Sequence, residues 1–267
     1  MLQALKIAFA LYSQVPIFNI KWEAKNMRYV FCFFPMVGFV LGLLMYLYVQ
    51  SVSAFLKGEV FSLFFAGAIF FALPILYTGG IHLDGLLDTQ DALSSHKEME
   101  KKLEILKDPQ AGAFAVIACG VYLIIELASL CCLLSIFINK SQLALPLLYV
   151  FCLKYPLSRS FSGLSVTTFP MAKNTGLAYT FSSNADKTNT RKILIAYIVL
   201  ISVIALFINI IFGLTLLITT VVVFAYYYYM SLKQFGGITG DLCGWFLQMA
   251  ELLVSIALIF SYYYIAS

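Results

Sequence analysis

Long apolar runs with at most one charged residue constrain this chain more than any other feature of its sequence. An α-helix needs about 20 mainly apolar residues to cross the hydrocarbon core of a bilayer. One run contains no charge over 40 residues and is long enough for two helices, with a hinge near Gly213. The runs are Tyr29–Leu56, Val60–Gly80, Ala111–Ile138, Leu143–Leu157, Ile193–Leu232 and Leu242–Ala266. They predict an all-α, polytopic integral membrane helical bundle with about seven transmembrane helices and cytosol-facing loops.

The composition excludes the soluble classes of protein. Of the 267 residues, 62% are apolar and 11% are charged, whereas an average soluble domain has about 45–50% apolar and about 25% charged residues. A soluble enzyme, a nucleic-acid-binding domain and a disordered chain are therefore excluded, and no nucleic-acid partner is expected. The six cysteines lie in apolar stretches without metal-ligand spacing, which favours buried side chains over a metal site.

The distribution of lysine and arginine predicts the orientation in the membrane. With the N-terminus in the cytosol, 15 cations fall on the inner side and only Lys57 and Lys140 on the outer side. The inner cations are Lys6, Lys21, Lys25, Arg28, Lys97, Lys101, Lys102, Lys107, Lys154, Arg159, Lys173, Lys187, Arg191, Lys192 and Lys233. Because membrane proteins keep their cations in cytosolic loops, this bias supports the orientation.

The chain shows neither an internal repeat nor a linker, so residues 1–267 are predicted to form a single membrane-embedded domain. Leu2–Ile20 is amphipathic but too short and broken for a span, and we expect an interfacial or re-entrant helix there. A homo-oligomer is compatible with the sequence.

The remaining charges are concentrated in one stretch. Of the 30 charged residues, 11 lie between Asp84 and Asp108, including seven of the 13 acidic ones. Asp84, Asp88 and Asp91 have the spacing i, i+4 and i+7, which places them on one face of a helix. Three neighbouring carboxylates repel one another, and Mg²⁺, which prefers hard oxygen ligands and bridges to phosphates, would relieve that repulsion. A solvated acidic face at the start of a helix is the plainer interpretation.

Other polar groups lie on the same predicted side. Gly79 and Gly80 allow close approach of a substrate, and His82 is a candidate for orienting a carboxylate, contacting phosphate or carrying a proton. Lys107 and Arg159 are candidates for binding an anion, with a loop charge and a membrane anchor as the alternatives. A late segment adds Gly237, Gly240 and Asp241, whose carboxylate could complete a metal site. Glu126 and Glu251 lie inside spans and are functional candidates for that reason.

These residues together predict an acidic metal site, edged by cations, at the cytosolic side of the membrane. Phosphate-bearing substrates suit such a site, because Mg²⁺, lysine and arginine offset the charge on a transferring phosphoryl group.

Several motifs resemble those of the adenosylcobinamide-GDP ribazoletransferase (cobalamin synthase) family. The first is GGIHLDGLLDTQDA, which begins at Gly79 and is similar to the family's GG-x-HLDGL-x-DT-x-DG run. KDPQAGAF, the Ser158–Arg159 pair, the late GGITGD and the early CFFPMVGFVLG are similar to further family elements. The chain departs from the family at Ala92, where glycine is usual, and at Gln110–Ala111, where a basic-aliphatic pair is common.

The resemblance implies an Mg²⁺-dependent phosphotransferase in a prokaryotic cell membrane, with its active site facing the cytosol. It would join adenosylcobinamide-GDP and α-ribazole, or its 5′-phosphate, to give adenosylcobalamin, or its 5′-phosphate, and GMP. Asp84, Asp88 and Asp91 would hold Mg²⁺ against the diphosphate, with Asp241 as a further ligand. One of these carboxylates, or His82, would accept the proton of the attacking ribose hydroxyl. Lys107 and Arg159 would face the phosphates.

Two other functions remain open from the residues alone. A membrane phosphotransferase of the CDP-alcohol type uses a related aspartate-rich motif. That motif requires an arginine soon after its glycine, and no arginine follows Gly85 closely in this chain. A cation transporter could use Asp84, Asp88 and Asp91 as an ion path, although transporters more often place such groups at mid-span. The collection of carboxylates at one side of the membrane favours an enzyme.

Overall fold

The computed structural model describes residues 1–55, 60–139 and 141–267, which form twelve α-helices. In the described residues no strand forms, and the backbones of Met171 and Ile238 make a single isolated parallel bridge. The helices are α1 (Leu2–Tyr12), α2 (Ala24–Met27), α3 (Val30–Phe55), α4 (Val60–Thr78), α5 (Ile81–Ser94), α6 (Met99–Ile105), α7 (Ala113–Ile138), α8 (Ala144–Thr168), α9 (Leu177–Asn184), α10 (Lys187–Ile208), α11 (Ile210–Phe235) and α12 (Gly240–Ala266). The all-α prediction is confirmed.

Judged by length and composition, fewer helices can cross a membrane than the seven that were predicted. Within the described residues five helices are long and apolar enough, namely α3, α7, α10, α11 and α12. The pair α4 and α5 gives at most a sixth, because α5 turns away from α4 by 90°. The count of seven is not confirmed. The run that ends at Leu157 continues as α8 through a polar segment that includes Lys154 and Arg159, so α8 does not qualify by composition.

The break in the long uncharged run lies at Asn209 rather than at the predicted hinge near Gly213. Asn209 ends α10 and caps α11, where its side-chain oxygen accepts hydrogen bonds from the backbone N–H groups of Ile211 and Phe212, both at 3.0 Å. Asparagine is favoured at such a cap because its side chain satisfies otherwise unpaired donors. Gly213 instead lies inside α11, where an added Cβ would come within 2.8 Å of the Ala205 backbone. It permits the two helices to pack closely.

Helix α8 lies at the centre of the bundle and packs against α3, α10, α12, α11 and α7. Its polar second half is buried as completely as its apolar first half, with Ser160 and Ser165 both inaccessible to solvent. The serine hydroxyls are satisfied locally, since Ser160 donates to the carbonyl of Pro156 at 2.7 Å. The polar segment around Arg159, which the sequence predicted to lie at the cytosolic end of a span, is therefore part of the protein interior.

Helix α1 is too short to cross a membrane. Its 11 residues, at about 1.5 Å per residue, extend only about half of the hydrocarbon thickness. It buries Ala4, Ile7 and Ala8 and packs against α3. The chain after it is held to α4, because the N–H of Gln14 donates to the carbonyl of Tyr77 at 2.7 Å.

The structure changes the charge count that supported the orientation. Lys154 and Arg159 are each only 1% exposed inside α8, so they are not loop cations. The two predicted outer cations, Lys57 and Lys140, lie outside the described residues. Four of the other inner cations precede α3 and four lie between α5 and α7. The remaining ones follow α8 (Lys173), lie in the first turns of α10 (Lys187, Arg191 and Lys192) or lie near the end of α11 (Lys233).

Candidate active site

Two glycines bring α5 and α12 into close contact. A Cβ added to Gly85 would lie 2.6 Å from the carbonyl oxygen of Asp241, and one added to Gly244 would lie 3.0 Å from that of His82. Only glycine allows backbones to approach this closely without displacing one of them. The contact holds the first motif, on α5, against Asp241 at the beginning of α12.

We predict that Gly85→Ala destabilises the protein by about 1–3 kcal/mol, because the methyl group overpacks the contact between α5 and α12. Activity should fall with it, since Asp241 must shift. Thermal unfolding in detergent and the rate of product formation would measure both effects. Gly120→Ala is the matched control, because an added Cβ there meets nothing within 4 Å. Equal behaviour of the two variants would contradict the packing argument.

A cavity of about 460 Å³ opens beside this contact. It is lined by residues from α1, α3, α5, α8, α9 and α12 and from the loops after α6 and α8. One part of the lining is apolar and aromatic and includes Tyr12, Phe34 and Leu247, while another is charged and includes Asp84, Asp241, Lys107 and Lys173. Pockets of this size and mixed lining are typical of small-molecule sites.

The predicted carboxylates lie close together but not in equivalent positions. Asp84 and Asp241 line the cavity, and Asp88 and Asp91 are half-buried behind it. The negative charges of Asp84, Asp241 and Asp91 all act on Asp88. Asp91 faces the beginning of α7, where one of its oxygens accepts a hydrogen bond from the N–H of Gly112 at 3.2 Å. Three carboxylates of α5 and one of α12 therefore lie close enough for the other three charges to act on Asp88.

These carboxylates do not form a preformed metal cage. Among the residues that the structure describes, no group of three or more His, Cys, Asp or Glu side chains has the arrangement of a metal site. Mg²⁺ seldom needs such a cage, because it usually keeps several waters and binds through one or two carboxylates and substrate phosphates. Asp84 and Asp241, hard oxygen donors that share one cavity wall, fit that mode of binding.

Two lysines, Lys107 and Lys173, line the same cavity as Asp84 and Asp241. Lys107 is exposed, and its ammonium group makes no hydrogen bond or ion pair with any described residue, so its charge is free to meet an anion. Lys173 is half-buried and donates to the carbonyl of Leu103 at 2.9 Å. Burial and the nearby positive charge of Lys107 lower the pKa of Lys173, against the opposing effect of Asp241. A bound anion would relieve the repulsion between the two ammonium groups.

His82, like Asp84, is a predicted proton acceptor that lines the cavity. It is 4% exposed and its Nε2 has no hydrogen-bond partner among the described residues. This nitrogen is itself enclosed, because less than 1 Å² of its surface is accessible, and burying an unpaired polar atom is costly.

Of the four glycines predicted to contact substrate, only Gly240 lines the cavity. Gly79 and Gly80 adopt φ values of +65° and +76° and form the bend between α4 and α5. The position of a Cβ on Gly79 is filled by the side chain of Gln14. Gly237 packs against the backbone of the loop after α8, within 2.6 Å of the Ala172 nitrogen for an added Cβ. These three glycines set the path of the backbone around the cavity but do not line it.

Arg159 is also absent from the cavity wall. Its guanidinium donates to a carboxylate oxygen of Glu251 at 2.5 Å, in an ion pair whose side chains are 2% and 9% exposed. The hydroxyl of Ser158 donates to the same oxygen at 2.8 Å. The pair lies one helical turn beyond the cavity residues Ser162 and Leu247, so it supports the floor of the cavity instead of contacting its contents.

A second buried pair extends this cluster. The ammonium of Lys154 lies 3.9 Å from a carboxylate oxygen of Glu126 and donates to the hydroxyl of Ser255 at 2.6 Å. It also lies 4.2 Å from the ring centroid of Phe151, in a cation–π contact. The two glutamates that the sequence singled out within spans are thus each matched with a cation of α8.

Sequence reasoning missed several residues of the cavity wall. Lys173 belongs to the polar segment Phe169–Thr190, for which the sequence left a substrate lid and a plain flexible loop open without assigning a role to this lysine. Tyr12 and Phe34 gave no signal, because aromatic side chains in apolar helices are usually lipid-facing or part of the core. Their positions depend on how α1 packs against α3.

Fold and site together define a class: a multi-pass α-helical membrane protein with a cavity that is lined by both carboxylates and lysines. Residues 4–259 match the family described as "Cobalamin-5-phosphate synthase". The chain belongs to this family.

Relatives with curated names agree over nearly the whole chain. It is 36% identical over 258 residues to the "Adenosylcobinamide-GDP ribazoletransferase" of Lachnoclostridium phytofermentans, covering 97% of this chain and 94% of the relative. Proteins of the same name from Treponema denticola and Clostridium perfringens are 30% and 28% identical, each covering 93% of this chain and 94% of the relative. No solved structure matches the chain.

Proposed function

We propose that this protein is a transferase that joins adenosylcobinamide-GDP to α-ribazole, or to its 5′-phosphate, and releases GMP. The observation that carries the proposal is the meeting of Asp84 and Asp241 with Lys107 and Lys173 in one cavity, beside the motif that begins at Gly79. Lysines there attract the diphosphate, and carboxylates suit the binding of a cation to it and the acceptance of a proton.

The reaction exchanges one phosphorus–oxygen bond for another. A ribose hydroxyl of α-ribazole attacks the phosphorus that is linked to cobinamide, and the bond from that phosphorus to the GMP oxygen breaks. Asp84, Asp88, Asp91 or His82 accepts the hydroxyl proton. Lys107, which has no competing partner among the described residues, and Lys173 neutralise the phosphate oxygens. In this scheme GMP carries away the electron pair of the broken bond.

A bound Mg²⁺ would add positive charge at the diphosphate and the departing GMP. Asp84 and Asp241 would hold it from the cavity wall, and Asp88 and Asp91 would complete or support the set from behind. The negative charges gathered around Asp88 support this assignment, because a cation is the simplest way to stabilise them together.

GMP release by the purified protein tests the proposal directly. We expect GMP only when adenosylcobinamide-GDP, α-ribazole and Mg²⁺ are all present, and removal of Mg²⁺ with a chelator should abolish it. Product formation that does not require α-ribazole would contradict the transferase assignment. Unchanged rates after chelation would refute the metal assignment alone.

We further propose that the protein lies in a prokaryotic cell membrane with the cavity on the cytosolic side. Lys97, Lys101 and Lys107 lie between α5 and α7, Lys173 follows α8 and Lys187 begins α10, and the positive-inside rule assigns such cation-bearing segments to the cytosol. A cysteine introduced at Ser95, between α5 and α6, should react with an impermeant maleimide only after the membrane is opened. The parent protein, with its native cysteines, is the control. Labelling of intact cells at Ser95 would reverse the orientation.

A further inference from the structure

Two backbone segments that carry cavity residues are joined to each other just before α12. The N–H of Ala172 donates to the carbonyl of Ile238 at 3.0 Å, and the N–H of Ile238 donates to the carbonyl of Pro170 at 2.9 Å. These bonds accompany the parallel bridge between Met171 and Ile238. Met171 and Ile238 both line the cavity, and Ile238 is buried. The loop after α8 is thereby attached to the segment that leads into α12.

Gly237 allows this bridge to form. A Cβ added to it would lie 2.6 Å from the nitrogen of Ala172 and from the oxygen of Pro170, and 2.7 Å from the carbonyl carbon of Met171. All three are backbone atoms, which cannot move aside as the end of a flexible side chain can. Any side chain at this position therefore has to separate the two segments.

Each segment carries one charged group of the cavity shortly after the bridge. Lys173 is the residue after Ala172, and Asp241 lies three residues after Ile238, in the first turn of α12. Both line the cavity, and the charge of each acts on the other. Thr239 caps α12, and its hydroxyl donates to a carboxylate oxygen of Asp241 at 3.3 Å. The bridge therefore sets the separation of a cation and a carboxylate in the site.

The two partners of the bridge are attached differently to the rest of the protein. Helix α12 packs against α5, α11, α8 and α7, and its backbone is in close contact with that of α5 at Gly85 and Gly244. Lys173, in contrast, lies in a loop, and its ammonium donates to the carbonyl of Leu103 at 2.9 Å. We therefore expect a disturbed bridge to displace Lys173 while Asp241 stays in place.

We infer that Gly237 is a positioning residue: it lets the bridge form and thereby keeps the ammonium of Lys173 beside Asp241, where it faces the diphosphate. The inference rests on the proposed function and gives Gly237 a role within it. Gly237 does not need to touch the substrate, in agreement with its position behind the cavity lining. An ammonium beside the transferring phosphoryl group offsets its negative charge, and that effect weakens with distance.

Steady-state kinetics of Gly237→Ala tests the inference. We expect kcat/KM for adenosylcobinamide-GDP to fall about tenfold, because Lys173 moves away from the diphosphate, while KM for α-ribazole stays unchanged. Gly120→Ala is the matched control, since an added Cβ there meets nothing within 4 Å. Unchanged kcat/KM in Gly237→Ala, or an equal rise in both KM values, would overturn the inference.

The same substitution in a Lys173→Met background separates positioning from general damage. If Gly237 acts through Lys173, Gly237→Ala should lower kcat/KM by less than about twofold once the ammonium is gone. Ala172→Pro removes the N–H donor of the bridge from the other segment and should show the same dependence on Lys173. A fall of about tenfold in both backgrounds would mean that Gly237 acts in another way, and would overturn the inference.

Hydrogen–deuterium exchange tests the bridge without turnover. The amides of Ala172 and Ile238 should exchange slowly in the parent and in Gly120→Ala, and about tenfold faster in Gly237→Ala, because their hydrogen bonds open. Exchange in the spanning helices should not change, which shows that the variant is folded. Equal exchange of these two amides in the parent and Gly237→Ala would overturn the inference at any level of activity. A parent protein that releases no GMP would instead count against the transferase proposal, and the exchange rates would still decide whether Gly237 holds the two segments together.

Discussion

Replacement of Asp88 by asparagine is expected to reduce the rate of GMP release by about 100-fold or more, while the protein still inserts and remains folded. Asp88 lies at the centre of the acidic group, since the charges of Asp84, Asp91 and Asp241 all act on it. The amide has nearly the same size, so packing in the half-buried position is preserved. It has no charge to attract a cation and cannot take up a proton.

Turnover number, compared with the unfolding temperature in detergent, would measure the effect of Asp88→Asn. Glu104→Gln is the matched control: Glu104 lies in the same charged stretch, but its side chain is 67% exposed and pairs only with Lys101 at the surface. That variant should retain full activity. Near-normal turnover of Asp88→Asn would remove Asp88 from the proposed site.

Replacement of Arg159 by leucine is expected to lower the free energy of unfolding by about 3–5 kcal/mol, which is typical for loss of one partner of a buried ion pair. The carboxylate of Glu251 would remain in the interior without its cation, and the hydroxyl of Ser158 alone would contact that oxygen. Replacing Glu251 by leucine as well should recover a large part of the loss, because the uncompensated charge is then gone.

Arg28 provides the matched comparison for this prediction. Its guanidinium also pairs with a carboxylate, that of Asp186, at 2.8 Å, but its side chain is 55% exposed. Arg28→Leu should therefore cost less than about 1 kcal/mol. Denaturation in mixed detergent micelles would compare the three variants. If Arg159→Leu were as stable as Arg28→Leu yet inactive, Arg159 would have to contact substrate directly, as the sequence suggested.

The difference between these two arginines shows where sequence reasoning reached its limit. Arg28 and Arg159 both follow a positive-inside pattern, and charge alone does not distinguish a loop cation from a buried one. Helix α8 continues beyond Leu157 because its serines donate to carbonyls of their own helix and because neighbouring helices cover the segment. The burial of Arg159 then requires a partner, and Glu251 from a distant part of the chain supplies it.

For the acidic motif, in contrast, the sequence did predict the local arrangement. The spacing of Asp84, Asp88 and Asp91 correctly predicted that they share one helix, because helical periodicity is a local property. The glycines around Asp241 suggested that its carboxylate could join them, but the sequence could not show where it lies. That position depends on how α5 crosses α12 at Gly85. The orientation of Asp91 toward Gly112 depends in turn on the position of α7.

Taken by itself, the sequence determined that the chain crosses a membrane as a helical bundle and that seven of its 13 acidic residues lie in one stretch, between Asp84 and Asp108. Those properties follow from local hydrophobicity and periodicity, which act along the chain. Only the tertiary structure decided that Tyr12, Phe34 and His82 line the same cavity, that Lys173 joins Lys107, and that Arg159 supports the floor from within. Close contacts between helices distant in sequence produce these arrangements, and such contacts leave no periodic pattern in the residues that make them.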